Sequence, residues 1–339
     1  MASNGQNLPG DPLLTLLGDS MKYLFRGTAM VAAVTAALLG GGCARGGARA
    51  PAVERTDLTV GAVPVADSAA LYIAQRRHLF AAEGLHVKIE TVVSGATAIS
   101  GQLTGKFDVV LGNYVSYILA NTQHGHHFRV LAPGAAVGPS DAMLMVPPGS
   151  PIQRVAQLKG ATIGVNALNN IGTLVVTSVL YDNGIYVKRD HVHFKAIPFP
   201  EMSHALMTHQ IDAAWMVEPF VTYAELAGAE TIADTDSGAT QDFPLGGYMV
   251  TQSWEQAHPR TAAAFRHALM EGQKIASADP PAVWDGLEKF AKMPPSTADL
   301  IALPAYPLTL GADTLQRIAY LMTTFGMLSR LFDTRQMLR

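Results

Sequence analysis

Between Asp57 and Gly228 the chain changes its hydrophobic period repeatedly, and this alternation limits the fold more than any single motif does. The segments "DLTVGAV" (57–63), "LHVKIETVVS" (85–94), "FDVVLGN" (107–113) and "FRVLAPGA" (128–135) read as strands. Between them, "DSAALYIAQRRHLFAAEG" (67–84), "GATAISGQLTG" (95–105) and "YVSYILANTQHG" (114–125) read as helices. Strands separated by helices favour a parallel sheet covered on both faces. The rhythm breaks at 140–160, where a strand through Met143–Val146 stops at Pro147-Pro148 and a helix leads to Leu158-Lys159-Gly160. It restarts with strands at 161–165, 192–198 and 211–217 and helices from Ile171, at 201–210 and at 218–228. Beyond 256 the chain is helical, most clearly at 261–279 and 312–326. Two α/β units in tandem, with crossings near 140–146 and 245–250, imply two lobes and a cleft between them.

In open α/β sheets ligands lie beyond the carboxyl ends of strands, against helix N-termini. Five turns occupy such places: Val65–Ala70, Ser94–Thr97, Asn113–Ser116, Asn166–Thr173 and Trp215–Phe220. The ligand residues they offer are Asp67, Ser68, Ser94, Thr97, Asn113, Tyr114, Asn169, Asn170, Gly172, Thr173, Trp215 and Glu218. A helix N-terminus leaves amides unpaired and favours an anion by about 0.3–1 kcal/mol, or up to about 2 when partly buried. Asp67, Ser68 and Thr97 suit helix capping equally well, and the two roles are compatible. Asn113 and Tyr114 bring an amide and a phenol to a small polar molecule. The turn "NALNNIG" follows a strand and opens a helix, as phosphate-binding turns do, but its single glycine is the wrong pattern for a polyphosphate. Its asparagines, with Thr173 and a close backbone approach at Gly172, suit neutral groups or a modest anion, or else form an ordinary capped turn. Strand parity puts Trp215 and Val217 on one face and Met216 on the other. Trp215 either stacks on a flat ligand or packs in the core. Glu218 precedes Pro219, which suits the first helical position. That carboxylate either complements the helix dipole or, pointing into the cleft, suits an amine, amidine or amino-pyrimidine.

Of the 339 residues 15% are charged and 49% hydrophobic, with a net charge of −3. A near-neutral balance argues against a nucleic-acid groove, which needs clustered Lys and Arg. The single cysteine, Cys43, rules out a disulfide framework and any multi-cysteine zinc site. Residues 21–43, "MKYLFRGTAMVAAVTAALLGGGC", have a basic start, a short apolar run and small residues before the cysteine, the form of an export signal. They resemble a bacterial lipobox, with Leu39 one place early and Gly40 in its slot. Cleavage before Cys43 would leave it to carry lipid and tether the protein to the membrane. A plain signal peptide with an incidental cysteine is the other reading. Residues 1–20 are acidic and proline-bearing, unlike such a signal, which makes Met21 the expected natural start and 1–20 a non-native extension. Residues 44–56, rich in Gly, Ala and Arg, read as a flexible tether.

"AALYIAQRRHLFAAEGLHVKIE", "LKGATIGV", "ALMTHQIDAAWMVEPFVTYA" and "GYMVT" stand here in one order. Together they resemble the solute-binding proteins of bacterial ABC importers, in the branch serving nitrate, sulfonates, taurine, bicarbonate and thiamine-pyrimidine precursors. The resemblance implies a two-lobed periplasmic-binding-protein-like α/β fold of type II, with a ligand cleft between the lobes and a two-strand hinge. Lobe 1 is expected over 57–143, lobe 2 over 144–246, and a return to lobe 1 with C-terminal helices over 247–339. The implied role is extracytoplasmic capture of a small solute by a lipid-anchored monomer and delivery to a membrane permease. No cofactor, metal or catalytic residue is expected. His124, His126 and His127 lie in a loop away from the cleft, and no phosphate-binding loop, HExxH or GxSxG occurs. The alternatives are a ligand sensor that docks on a receptor and a pyrimidine-precursor synthase-like enzyme. The enzyme depends on a cysteine-rich motif that this chain does not offer.

Overall fold

The computed structural model describes residues 52–338. The expectations for residues 1–20, for the signal segment with Cys43 and for most of the tether lie outside them. Two five-stranded sheets organise the rest. Sheet one contains β1 (Asp57–Ala62), β2 (His86–Thr91), β3 (Val109–Asn113), β4 (Phe128–Pro133) and β10 (Gly246–Thr251), in the order β2-β1-β3-β10-β4. Sheet two contains β5 (Ala142–Val146), β6 (Thr162–Val165), β7 (His193–Ala196), β8 (Ala213–Val217) and β9 (Glu230–Asp234), in the order β7-β6-β8-β5-β9. In each sheet four strands run one way and a single strand, β10 in sheet one and β5 in sheet two, runs antiparallel between its two neighbours. The expected α/β class is therefore present, and the crossovers are 134–141 and 235–245. Ala142 and Met143 thus fall in sheet two and Gly246 in sheet one, a slight shift from the expected lobe limits. The crossovers bond to each other, Val137 N–H donating to the Phe243 carbonyl at 2.8 Å and Leu245 N–H to that of Ala135 at 2.9 Å.

Strands β5 and β8 are buried throughout, as central strands covered on both faces must be. The helices of sheet one's half are α1 (Ala69–Arg76), α2 (Leu79–Ala82), α3 (Gly95–Leu103) and α4 (Tyr114–Gln123). Those of sheet two's half are α5 (Ile171–Asp182), α6 (Phe199–Met207) and α7 (Phe220–Leu226). After β10 come α8 (Gln252–Ala257), α9 (Pro259–Ala278), α10 (Pro280–Phe290), α11 (Pro295–Ala298) and α12 (Ala312–Thr324).

Four local expectations need correcting. The helix read over 67–84 is two helices, broken where His78 takes the left-handed conformation at φ 57°. The helix read before Gly160 is only a 3-10 turn at Val155–Gln157. Strand β9 was not foreseen: its polar "ETIAD" is an edge strand, half-exposed and paired only with β5. The end of the tether is not free, because the Glu54 carboxylate accepts the backbone N–H groups of Arg260 and Thr261 at 3.2 and 2.8 Å. That contact satisfies orphan donors at the start of α9.

The C-terminal helices do not all return to sheet one. Helix α9 packs on α1 and α2 through Ala262, Phe265, Ala268 and Leu269. Helix α12 buries Leu315, Ile318, Ala319 and Met322 against both α4 and α5, so it touches both halves. Among the described residues no helix is long and apolar enough to cross a membrane.

Candidate functional site

Residues at the carboxyl ends of strands from both sheets line one cavity of ≈ 70 Å³. A water needs about 10–15 Å³ on this measure, so there is room for roughly five to seven such groups. Sheet one supplies Val63, Val65 and Asp67 after β1, and Val92, Ser94, Gly95 and Ala98 after β2. It also supplies Leu111, Gly112 and Asn113 at the end of β3, and Leu245 and Gly246 at the entry to β10. Sheet two supplies Asn166 and Ile171 after β6, Phe199 after β7, and Trp215 and Val217 at the end of β8.

Three helix N-termini reach this space, each capped by its own side chain. Ser94 Oγ accepts Thr97 N–H at 3.3 Å, Asn113 Oδ1 accepts Ser116 N–H at 2.9 Å, and Asn170 Oδ1 accepts Thr173 N–H at 3.3 Å. Gly95 allows α3 and α4 to approach, because a Cβ there would stand 2.6 Å from Ser116 Oγ. Asn170 Nδ2 also donates to Asn166 Oδ1 at 2.6 Å, which orients Asn166 at the cavity wall.

Of the twelve candidates read from the sequence, Asp67, Ser94, Asn113 and Trp215 line the cavity. The others do not. Ser68 holds the N-cap position of α1, but its hydroxyl donates to the carbonyls of Val63 and Val65, and neither it nor Asp67 makes a side-chain cap bond. Thr97 is held by Ser94 through its N–H and its hydroxyl. Tyr114 is buried with its hydroxyl against Gly247. Asn169 is exposed in a left-handed turn at φ 52°. Asn170 caps α5, and the Thr173 hydroxyl sits 3.5 Å from the Ala167 carbonyl. Gly172 meets protein, since a Cβ there would stand 2.5 Å from Trp215 Cε3. Its role matches the glycine that permits close helix–strand packing in dinucleotide folds.

Glu218 faces away from the cavity, and Pro219 is the cap of α7 rather than its first residue. The Glu218 carboxylate is buried and accepts Thr222 N–H at 3.1 Å, Thr222 Oγ1–H at 2.8 Å and Ala302 N–H at 3.2 Å. Strand parity explains this placement: Trp215 and Val217 share the cavity face, so the next residue turns to the other side. Burial pushes its carboxyl up to about 7. Its carbonyl accepts Ala66 N–H at 3.0 Å, tying the end of β8 to the turn after β1.

Trp215 is 1% exposed, and its Nε1–H donates to Thr235 Oγ1 at 3.3 Å. Thr235 in turn donates to the Ala142 carbonyl at 2.7 Å. The Phe199 ring, stacked on Phe220 with centroids 5.4 Å apart, lies 6.0 Å from that of Trp215. Phe199 was missed from sequence because it precedes the helix read there and resembles any core aromatic. The aliphatic lining was missed for the same reason.

No Lys, Arg or His stands among the lining residues, and Asp67 is their one ionisable side chain. Among the described residues its carboxylate has no side-chain partner, and burial pushes it up to about 6. Asp141 behind it is held well above the usual carboxylate range by burial and by the charges of Asp67, Asp234 and Glu218. A unit charge ~4 Å from an ionised Asp67 would feel about 4 kcal/mol at an effective dielectric near 20. The three helix ends, at about 0.3–1 kcal/mol each and up to about 2 when partly buried, sum to a range that overlaps it. Elsewhere, the rings of His124 and His126 stand 6.0 Å apart. Among the described residues no group of three or more His, Cys, Asp or Glu is placed to hold a metal ion.

The fold that forms this cavity is shared with known proteins. The alkanesulfonate-binding protein SsuA from Xanthomonas axonopodis pv. citri, solved with MOPS, superimposes with a TM-score of 0.72 at 17% identity, over 85% of this chain and 99% of that one. The periplasmic nitrate-binding protein NrtA from Synechocystis gives a TM-score of 0.72 at 15% identity, over 84% and 85%. The desulfurization enzyme DSZB shares the fold as well, with a TM-score of 0.62 at 17% identity over 84% and 96%. In sequence, the bicarbonate transport ATP-binding protein CmpC of Synechocystis sp. is 25% identical over 65% of this chain. The match spans only 35% of that relative's length. The family model described as "NMT1/THI5 like" matches residues 65–283, more than half of the chain and every strand that lines the cavity except β1. The two-sheet fold and its cavity thus belong to an NMT1/THI5-like protein, related in structure to the nitrate- and sulfonate-binding proteins of ABC importers, and the chain is a member of that family.

Proposed function

We propose that this protein captures one small solute between its two sheets by closing about the paired crossovers, and delivers it to an ABC permease without chemical change. The observation that carries the reading is the shared cavity: neither sheet encloses it alone, so a bound solute bridges both halves and favours the closed arrangement. The solute contacts we assign are Asp67, Ser94, Asn113 and Trp215 from the sequence reading, with Asn166 and Phe199 added. Ser68, Thr97, Tyr114, Asn170, Gly172, Thr173 and Glu218 support that wall from behind, and Asn169 is exposed beside it. A single ionisable lining group suits binding better than a reaction needing an acid and a base together. On this reading the protein is exported and held at the membrane by lipid on Cys43, as a monomer. The test is titration of small extracellular solutes, followed by tryptophan fluorescence and X-ray scattering. A ligand should quench or shift tryptophan emission and reduce the radius of gyration together. Binding without contraction would refute closure.

A further inference from the structure

The chemistry of the cavity narrows the solute class. Resting on the binding-protein reading above, we infer that the solute is a small organic nitrogen cation, an amine or amidine that gives its N–H groups to Asp67 and lays its apolar body against Trp215 and Phe199. The lining holds one carboxylate and no basic side chain to neutralise it. The Asp67 carboxylate faces its own backbone N–H, and among the described residues no side chain donates to it, so a ligand is the natural source of further donors. The surroundings reinforce the sign, because burial and the nearby carboxylates of Asp67, Asp234 and Glu218 hold the Asp141 carboxyl behind the site well above its usual range. The anion-favouring feature, the helix ends, is already partly answered by the capping oxygens of Ser94, Asn113 and Asn170. Two aromatic side chains on the opposite wall add a surface that attracts a cation and covers an apolar body. Asn113 and Asn166 remain to orient secondary polar groups.

Three probes of nearly equal shape and atom count separate charge from size: isobutyramidinium, isobutyramide and isobutyrate. Each is titrated calorimetrically into the wild-type protein and into Asp67→Asn near pH 7.5. The expected result is amidinium binding at least tenfold tighter than amide, with isobutyrate weakest. Asp67→Asn should bring amidinium down to the level of the amide while leaving amide binding in place, which shows the cavity intact. Its melting temperature without ligand should equal or exceed that of wild type, because an unpaired buried charge is gone. Isobutyrate binding as tightly as amidinium, or an amidinium preference that survives in Asp67→Asn, overturns the inference. If those compounds still contract the protein in X-ray scattering, the binding-protein reading stands alone. If neither these probes nor a broad library of small solutes changes fluorescence or scattering, both readings fall.

Discussion

Gly172 separates a packing role from a ligand-binding role within one substitution. In Gly172→Ala the new methyl would stand 2.5 Å from Cε3 and 2.8 Å from Cζ3 of Trp215. Both distances are too short for real contacts, so something must move. The indole cannot retreat easily, being 1% exposed and hydrogen-bonded to Thr235. Overpacking of this kind costs about 1–3 kcal/mol. An indole edge fixed on two sides belongs in the upper half of that range, and replacing a helical glycine returns at most about 1 kcal/mol. The net loss is about 1–2 kcal/mol, a fall in melting temperature of about 2–3 °C at an unfolding entropy of about 2.1 cal/mol/K per residue. The assay is thermal or urea unfolding without ligand, for wild type, Gly172→Ala, Trp215→Phe and the double variant. Phe lacks the benzo edge that the methyl strikes, so the double variant should be more stable than the sum of the singles requires, by about 0.5–3 kcal/mol of coupling. If Gly172→Ala melts like wild type and loses only solute affinity, the glycine serves the ligand and the packing argument is wrong.

Two further outcomes follow from other parts of the structure, and a third from the proposed lipid anchor. Glu218 is protonated in folded and unfolded chains below about pH 4, whereas between 4.5 and about 7 the folded chain keeps a proton the unfolded chain has released. Stability should therefore fall as pH rises through that window, by at most about 3 kcal/mol from this group, and Glu218→Gln should flatten the fall in urea unfolding at pH 5 and 7.5. Asp67 and Asp141 act in the same direction, so some slope should remain. Asn170→Ala removes both the cap of α5 and the bond that orients Asn166, which should cost about 1 kcal/mol of stability and also weaken solute binding; an unchanged melting curve would count against the cap. On the proposed lipid anchoring, Cys43→Ser should move the protein from the membrane to the soluble fraction of its cells, and unchanged fractionation would remove the lipid anchor from that proposal.

The fold was legible because its inner strands β1, β3, β6 and β8 are short and mostly buried, so apolar runs stood out between helical periods. What escaped had no such signal. Strand β9 is a polar edge held by one neighbour, and the break at His78 depends on one residue's backbone rather than on periodicity. The site was legible in position more than in direction. The five turns do border the cavity, yet which side chains enter it depends on strand parity and on local bonding. Parity alone contained the answer for Glu218, since Trp215 and Val217 had already been placed on one face. Asp67 was read as a ligand residue that suits a helix cap equally well, and the 3-10 turn at Ala66–Ser68 turns it to the cavity. Phe199 and the aliphatic wall look like core from sequence, because a dry binding wall and a core share one composition.

The central claim is that one small solute bridges the two sheets. The most direct measurement is non-denaturing mass spectrometry of the protein isolated from its own cells, paired with X-ray scattering before and after the bound molecule is removed. The account predicts a single small-molecule adduct at one per chain, an expansion on its removal and a contraction on its return. A protein that carries no adduct and keeps one radius of gyration, whatever solute is offered, would contradict it.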